Sequence, residues 1–209
     1  MTTFVRRWLC DMVTRTGFCS VCVVFFLASV LVSGCGLFEP RTPERPGGGG
    51  TWIPPTTPEI VLENLTNSMR EKVIGNYRLS FADDFLFHPD PSDSIELSAT
   101  QPYVYDNWND SVEVTVAQVL FDEAGGLDLA FTKRDTTIYV DPDHCVFYYK
   151  YFLQVTTKTG GAEFFRGLVE YHLRREGGAN WYIYVWIDKR DPDFPSLRTW
   201  GNLKGTRRP

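Results

Sequence analysis

The sequence predicts an α+β fold in which a curved antiparallel sheet wraps around N-terminal helices. Apolar residues recur at helical spacing after Thr57 and again after Asp110, which is typical of amphipathic helices. The C-terminal half instead contains three long segments of strand character, at residues 145–157, 163–175 and 181–188. Short glycine-containing turns separate these segments, so we expect neighbouring strands to pair antiparallel and to curve around the helices.

The first helix begins at Thr57-Pro58-Glu59, because threonine suits the N-cap, proline the first helical position and glutamate the positive helix end. Its apolar stripe consists of Leu62, Leu65, Met69 and Val73. Gly75 ends this helix, and we expect a second short helix over residues 76–82. Asp83-Asp84 then predicts a turn into a short strand at residues 85–87.

Residues 110–124 fit two patterns. Valines alternate with polar residues there as in a strand, yet the apolar residues also share one helical face. Asp110 and Glu113 have the spacing of a capping box, and Gly125-Gly126 ends the run. We therefore predict a helix.

Shorter strands are expected at residues 126–132, 136–140 and 199–204. Within residues 163–175, alternate positions form an apolar face that includes Phe165 and Tyr171. In the last long strand we expect Tyr182, Tyr184 and Trp186 on the outer face of the sheet.

The N-terminal region predicts a membrane anchor. An apolar run from Val21 ends in Leu31-Val32-Ser33-Gly34-Cys35, which resembles the lipobox of bacterial lipoproteins, where the cysteine is acylated and becomes the new N-terminus. The run is short for a transmembrane span, although an uncleaved transmembrane anchor is the alternative. We expect residues 1–34 to be a signal peptide and Cys35 a lipidation site at the cell envelope. Gly36 favours the outer membrane over the inner one.

Residues 35–56 are predicted to form a flexible tether, and residues 57–209 one domain. Repeated prolines and the run Gly47–Gly50 disfavour helix and strand. Beyond the lipid site only Cys145 remains, so no intramolecular disulfide is available.

The order of these elements resembles the nuclear-transport-factor-2-like, or cystatin-like, cone fold, which includes SnoaL-like proteins and ketosteroid isomerases. The resemblance covers residues 57–204 and depends on Thr57-Pro58-Glu59, Ala82-Asp83-Asp84-Phe85, and the spacing of Trp181, Ile183, Trp186 and Asp188. It implies a cone-shaped apolar pocket, the default ligand site in such a fold. The residues expected to line the pocket are Tyr77, Phe81, Phe85, Phe87, Phe165, Tyr171 and Trp181.

The resemblance does not extend to isomerase chemistry, which needs an aspartate base and a tyrosine donor. The family carries its tyrosine on the first helix, where residues 58–72 contain none. Its base aspartate corresponds here to Pro89, beside His88. The three histidines lack metal-ligand spacing, and we expect neither a metal nor a cofactor.

The sequence favours a non-catalytic function, namely binding of a small apolar ligand or a protein partner at the envelope. One alternative is a SnoaL-like isomerase, cyclase or hydratase whose acid–base group comes from His88, Asp84 or a pocket tyrosine. Another is a structural module that forms homodimers through the sheet face. Because the whole chain has a net charge of −5, we expect no binding to nucleic acid, which needs a basic surface.

Replacement of Cys35 tests the anchor. Each buried acyl methylene contributes about 0.8 kcal/mol, so two or three chains hold a protein firmly at a membrane. Cys35→Ser should therefore move the protein to the soluble fraction or leave an uncleaved precursor, as fractionation and mass spectrometry would show. Fully processed, membrane-bound Cys35→Ser protein would refute the lipobox interpretation.

Overall fold

A computed structural model describes residues 49–209 of the chain. The expected signal peptide, the lipidation site Cys35 and most of the expected tether lie outside the described residues. Among the residues that are described, no helix is both long and apolar enough to cross a membrane.

As predicted, two helices, a strand and the helix of residues 110–124 precede the strand meander, whereas one further helix follows the last strand. The helices are α1 (Pro58–Glu71), α2 (Ile74–Arg78), α3 (Pro91–Ser98), α4 (Asp110–Glu123) and α5 (Trp200–Arg207). The strands are β1 (Phe81–His88), β2 (Ala124–Lys133), β3 (Ile138–Asp141), β4 (His144–Thr157), β5 (Ala162–Glu176) and β6 (Asn180–Arg190). The α+β class is therefore confirmed, as is the helical choice for residues 110–124.

The strands form one curved six-stranded sheet in the order β1-β6-β5-β4-β2, and β3 also pairs with β4. The pairs β2–β4, β3–β4, β4–β5 and β5–β6 are antiparallel, as predicted. Strand β1 departs from this pattern because it joins β6 in parallel. The long strands β4 to β6 thus make a wall that the helices can cover on one side.

The helices bury their apolar stripes in one core with the sheet. On α1, Val61, Leu65 and Met69 are at most 1% exposed. Helix α4 contributes its own buried stripe, and α5 contributes Trp200 and Leu203 to the same core. The last helix is therefore an integral part of the packed interior.

A β-bulge in β6 changes the face to which its side chains point. Leu173 of β5 pairs with Ile183, whereas the preceding residue His172 pairs with Val185, so Tyr184 is an extra residue in the strand. One extra residue transfers all following side chains to the opposite face. The bulge therefore reverses the alternation in the second half of β6.

The prediction that Trp186 lies on the outer face with Tyr182 and Tyr184 is wrong for this reason. Trp186 and Asp188 are completely buried, while the two tyrosines are partly exposed. The bulge thus brings a large aromatic ring and a carboxylate into the interior.

The region before α4 differs from the prediction in two places. The second helix ends at Arg78, and Asp83-Asp84 lies within β1 rather than in a turn. Helix α3 was not predicted: the Asp90 side chain caps it by accepting from the Ser92 N–H at 2.8 Å, and Pro91 occupies the first position. Aspartate before proline therefore begins a helix here as well as ending a strand.

Residues 199–204 form the start of α5 and not a strand. Thr199 is the N-cap, and its hydroxyl oxygen accepts from the Asn202 N–H at 2.9 Å. The first N–H groups of a helix have no partner within the helix, and the Thr199 hydroxyl provides one of them with an acceptor.

The folded domain includes residues before Thr57. The Asn64 side chain of α1 binds both backbone groups of Ile53, at 3.0 and 2.6 Å. Thr51 binds Glu71 through its N–H and its hydroxyl, each at 2.6 Å. The Pro55 carbonyl accepts from the Trp181 N–H of β6 at 2.8 Å. For this stretch the expectation of a flexible tether is wrong, because a buried asparagine and a strand N–H take their partners from it.

Removal of residues 49–56 should therefore destabilise the domain. Asn64 is fully buried, and leaving it without partners costs about 1–3 kcal/mol. Urea denaturation of chains beginning at Gly49 and at Thr57 measures the difference. In the longer chain, Asn64→Ala should reproduce most of the loss, and equal stability of the two wild-type chains would contradict the prediction.

Candidate functional site

The aromatic residues predicted to line a pocket all lie in the core. They are Tyr77, Phe81, Phe85, Phe87, Phe165, Tyr171 and Trp181, each at most 4% exposed. The ring centroids of Tyr77 and Phe81 are 5.1 Å apart, and those of Phe81 and Phe85 4.6 Å apart. A cavity in this region has a volume of about 10 Å³. Of the seven residues, Tyr77 alone lines it. It has room for about one water molecule.

Glu113 lies at the centre of a buried polar cluster beside this cavity. The Tyr77 hydroxyl donates to its Oε1 at 2.6 Å, and the Trp108 indole N–H donates to its Oε2 at 2.7 Å. Lys204 Nζ, from α5, lies 2.7 Å from Oε1. We call Tyr77, Trp108, Glu113 and Lys204 the interior cluster. Because both carboxylate oxygens and the charge have partners, the cost of burying Glu113 is largely offset.

Aromatic rings surround the Lys204 ammonium group. Its Nζ lies 3.1 Å from the ring centroid of Trp186, 4.1 Å from that of Phe87 and 5.2 Å from that of Trp200. Ring faces attract a cation, and the attraction is largest where water is excluded. Burial lowers the pKa of Lys204 to about 8, against the opposing effect of the Glu113 charge. The ammonium form therefore predominates at neutral pH.

A second polar contact holds the start of α5. Asp188 of β6 is fully buried, and its Oδ2 accepts from the Gly201 N–H at 2.5 Å and from the Tyr151 hydroxyl at 3.2 Å. A Cβ on Gly201 would lie 2.8 Å from that oxygen. Only glycine therefore lets the helix backbone approach Asp188 so closely.

The environment of Asp188 favours its neutral form. Burial raises the pKa of Asp188 to about 7, although the hydrogen bonds from Gly201 and Tyr151 favour the anion. Its other oxygen, Oδ1, is buried without a hydrogen-bond partner among the described residues. A protonated Oδ1 would remove part of the cost of burying that charge.

Asp93 of α3 also contacts the N-terminal end of α5. The Thr199 hydroxyl donates to Asp93 Oδ2 at 2.5 Å, and Arg190 Nη2 lies 2.9 Å from Asp93 Oδ1. Carboxylates near a helix N-terminus interact favourably with its free N–H groups. The interior polar groups thus fasten α5 at its first turn and at Lys204.

The three residues proposed as sources of an acid–base group differ in exposure and in their partners. His88 is exposed. Asp84 is exposed and paired with Arg174 through two contacts of 2.8 and 2.5 Å, which lower its pKa. Tyr77 reaches the cavity, but burial raises its pKa well above the ordinary value. General acid–base catalysis requires the substrate within about 2.6–3.2 Å of such a group, and the cavity beside Tyr77 has room for about one water molecule.

A larger concave site lies between α1 and the strands β2 and β4, on the face of the sheet that the helices cover. This α1–β2 groove has a volume of about 590 Å³. Its lining residues are Glu59, Leu62, Glu63, Thr66, Asn67, Arg70, Leu129, Ala130, Phe131 and Tyr149. The rings of Phe131 and Tyr149 meet edge to face with centroids 6.0 Å apart. The groove therefore combines an aromatic wall with a charged rim.

Sequence reasoning named Tyr77 as a pocket residue but missed the other three members of the interior cluster. Glu113 was interpreted as a capping residue, yet it lies three and seven positions before the buried residues Val116 and Leu120. A carboxylate on the apolar stripe of a helix could have indicated a buried partner. Lys204 gave no such signal, because its segment was predicted to be a strand.

The charge of Asp188 should make the stability depend on pH. Because its pKa is about 7 in the folded chain and about 3.9 when unfolded, the folded state holds an extra proton between these values. As the pH rises from about 4 to 7, the free energy of unfolding of the wild type should fall relative to that of Asp188→Asn. The slope should reach up to about 1.4 kcal/mol per pH unit. Denaturant unfolding at several pH values measures the difference, and a constant offset between the two proteins would contradict it.

Comparisons with known proteins show the fold. No protein-family profile matches the chain, and no curated protein matches it in sequence. A Novosphingobium aromaticivorans protein provisionally named an aromatic ring hydroxylase superposes with a TM-score of 0.51 at 12% identity, over 63% of this chain and 85% of that one. A provisionally named scytalone dehydratase from the same species gives 0.50 at 7% identity, over 62% and 78%.

A conserved protein from Planctomyces limnophilus also gives a TM-score of 0.50 at 12% identity, over 62% of this chain and 89% of that one. At such low identity these likenesses concern architecture and not activity. The domain has the nuclear-transport-factor-2-like cone fold that its order of helices and strands predicted.

Proposed function

We propose that this chain is an envelope lipoprotein whose cone-fold domain is a non-catalytic binding module that takes its ligand or partner in the α1–β2 groove. The observation that supports this is the contrast between the two concave sites. The groove has a volume of about 590 Å³ and the interior cavity about 10 Å³. Sites for small molecules typically have about 300–1,000 Å³.

The lining of the groove is mainly polar, and its aromatic wall is the part suited to an apolar or aromatic group. Leu62 and Leu129 are buried at its base, and the half-buried rings of Phe131 and Tyr149 form one wall. Aromatic walls contribute large contact areas with few side-chain rotamers to fix. The charged residues of the rim would orient a polar end of the ligand or contact a protein partner.

The anchoring part of the proposal depends on the N-terminal sequence. Leu31-Val32-Ser33-Gly34-Cys35 has the lipobox pattern, and Gly36 favours the outer membrane. A lipid at Cys35 would leave the 13 residues 36–48 between the lipidated cysteine and the described domain. The groove would then operate close to a membrane surface.

The two alternatives are less well supported by the geometry. A SnoaL-like enzyme needs room for substrate beside its acid–base group, and the cavity next to Tyr77 and Glu113 lacks that room. A homodimer through the sheet face would use Tyr182 and Tyr184, without Trp186, which is buried. A filled cone is compatible with such a module, and the groove does not exclude it.

Titration with indole, as a probe of aromatic ligands, tests the groove. In ¹⁵N-labelled Cys35→Ser chain lacking the signal peptide, indole should give saturable shifts at amides of Leu129–Phe131 and around Glu63. Phe131→Ala should weaken binding at least about tenfold, since a well-packed aromatic contact is worth ~1.4 kcal/mol or more. Phe152→Ala, on the exposed outer face of β4, is the matched control. Shifts confined to Trp200–Lys204, or an unchanged affinity in Phe131→Ala, would overturn the proposal.

A further inference from the structure

The surroundings of Lys204 have the chemistry of a receptor for an organic ammonium ion. The Glu113 carboxylate lies 2.7 Å from Nζ, and the ring centroids of Trp186 and Phe87 lie 3.1 and 4.1 Å from it. A carboxylate neutralises the positive charge, while ring faces attract it and exclude water. This combination discriminates an ammonium group from a neutral group of equal size.

The receptor groups belong to the cone, and the bound group belongs to the last helix. Glu113 comes from α4, Phe87 from β1 and Trp186 from β6. Tyr77 and Trp108 hold the two carboxylate oxygens in place through hydrogen bonds of 2.6 and 2.7 Å. None of these five side chains lies on α5, so the receptor is assembled by the rest of the fold.

We propose that the cone interior is a binding site for a primary alkylammonium ion, and that α5 inserts the Lys204 side chain into it as an intramolecular ligand. This inference is independent of the function proposed for the α1–β2 groove. The unbranched lysine chain defines the ligand class: a terminal ammonium group on a short, straight alkyl chain.

The small cavity adjoins this site and includes a partly exposed residue in its lining. It is lined by Lys204 and Glu113 and also by Arg207, whose side chain is 28% exposed. Shortening Lys204 would extend this cavity up to the Glu113 carboxylate. A free amine of the right size could then enter where the lysine chain had been.

The experiment replaces the tethered ammonium group by a free one. Lys204→Ala deletes Cγ, Cδ, Cε and Nζ, which n-propylammonium matches atom for atom. In the otherwise intact Cys35→Ser chain lacking the signal peptide, n-propylammonium chloride should raise the melting temperature of Lys204→Ala saturably, by at least about 2–4 °C. Neither n-propanol, which is its neutral isostere, nor sodium chloride at equal ionic strength should do so.

Two matched variants locate the effect. Lys204→Met fills the same volume without charge and should not respond to the amine. Lys204→Ala combined with Glu113→Gln opens the volume but lacks the carboxylate, and should lose the selectivity for amine over alcohol. If Lys204→Ala does not fold alone, its refolding yield in n-propylammonium against n-propanol gives the same comparison.

The proposal fails if n-propanol stabilises Lys204→Ala as much as n-propylammonium does, because the site would then recognise only volume. It also fails if neither molecule has any effect, or if the amine effect persists undiminished with Glu113→Gln. Saturable stabilisation that requires both the ammonium group and Glu113 supports it.

Discussion

The ion pair between Lys204 and Glu113 is the interaction on which the packing of the cone depends. It joins the last helix to a carboxylate that Tyr77 and Trp108 already hold, and both charged groups are almost completely buried. Burying two charges costs several kcal/mol for each, which close contact and additional hydrogen bonds must offset. Here the hydrogen bonds to Glu113 and the rings around Lys204 supply that compensation. Loss of either charge would leave the other unpaired in an apolar interior, which is more costly than the pair itself.

The cone fold alone does not determine what its interior contains. The three solved structures compared above are 7–12% identical to the chain. In this chain Trp200, Leu203 and Lys204 of the C-terminal helix occupy the interior. The larger concave site lies between α1 and the edge of the sheet.

Much of the fold could be predicted from local sequence patterns. Helix α1 and strands β4 and β5 each repeat their apolar pattern over more than ten residues, which makes helix and strand periods distinguishable. The α4 segment fits both periods, and its capping-box spacing decided between them. Helix α5 has eight residues, two of them glycines, and its polar residues contact the interior instead of solvent. A short segment with such a composition carries no helical stripe, so its conformation depends on tertiary contacts that the sequence does not display.

The candidate site was harder to predict, because it depends on pairing between distant elements. No sequence pattern indicates the bulge at Tyr184. Without the bulge, the alternation of side chains along β6 would place Trp186 and Asp188 on the outer face of the sheet. The partners Glu113 and Lys204 are separated by most of the sheet, and their pairing follows only once α5 is recognised as a helix. The seven aromatic residues that the resemblance placed around a pocket are all buried, since burial of large apolar side chains needs no particular partner.

The hydrogen bonds before α1 determine how a mechanical load would enter the domain. Thr51 is bound to the end of α1, Ile53 to its middle, and Pro55 to β6, an inner strand of the sheet. A pull on the chain before Gly49 would reach these three attachments before it reached Pro58. Force would therefore be shared between a helix and an inner strand, and α1 would not unwind from its first residue. Such an arrangement suits a domain held by its N-terminal end.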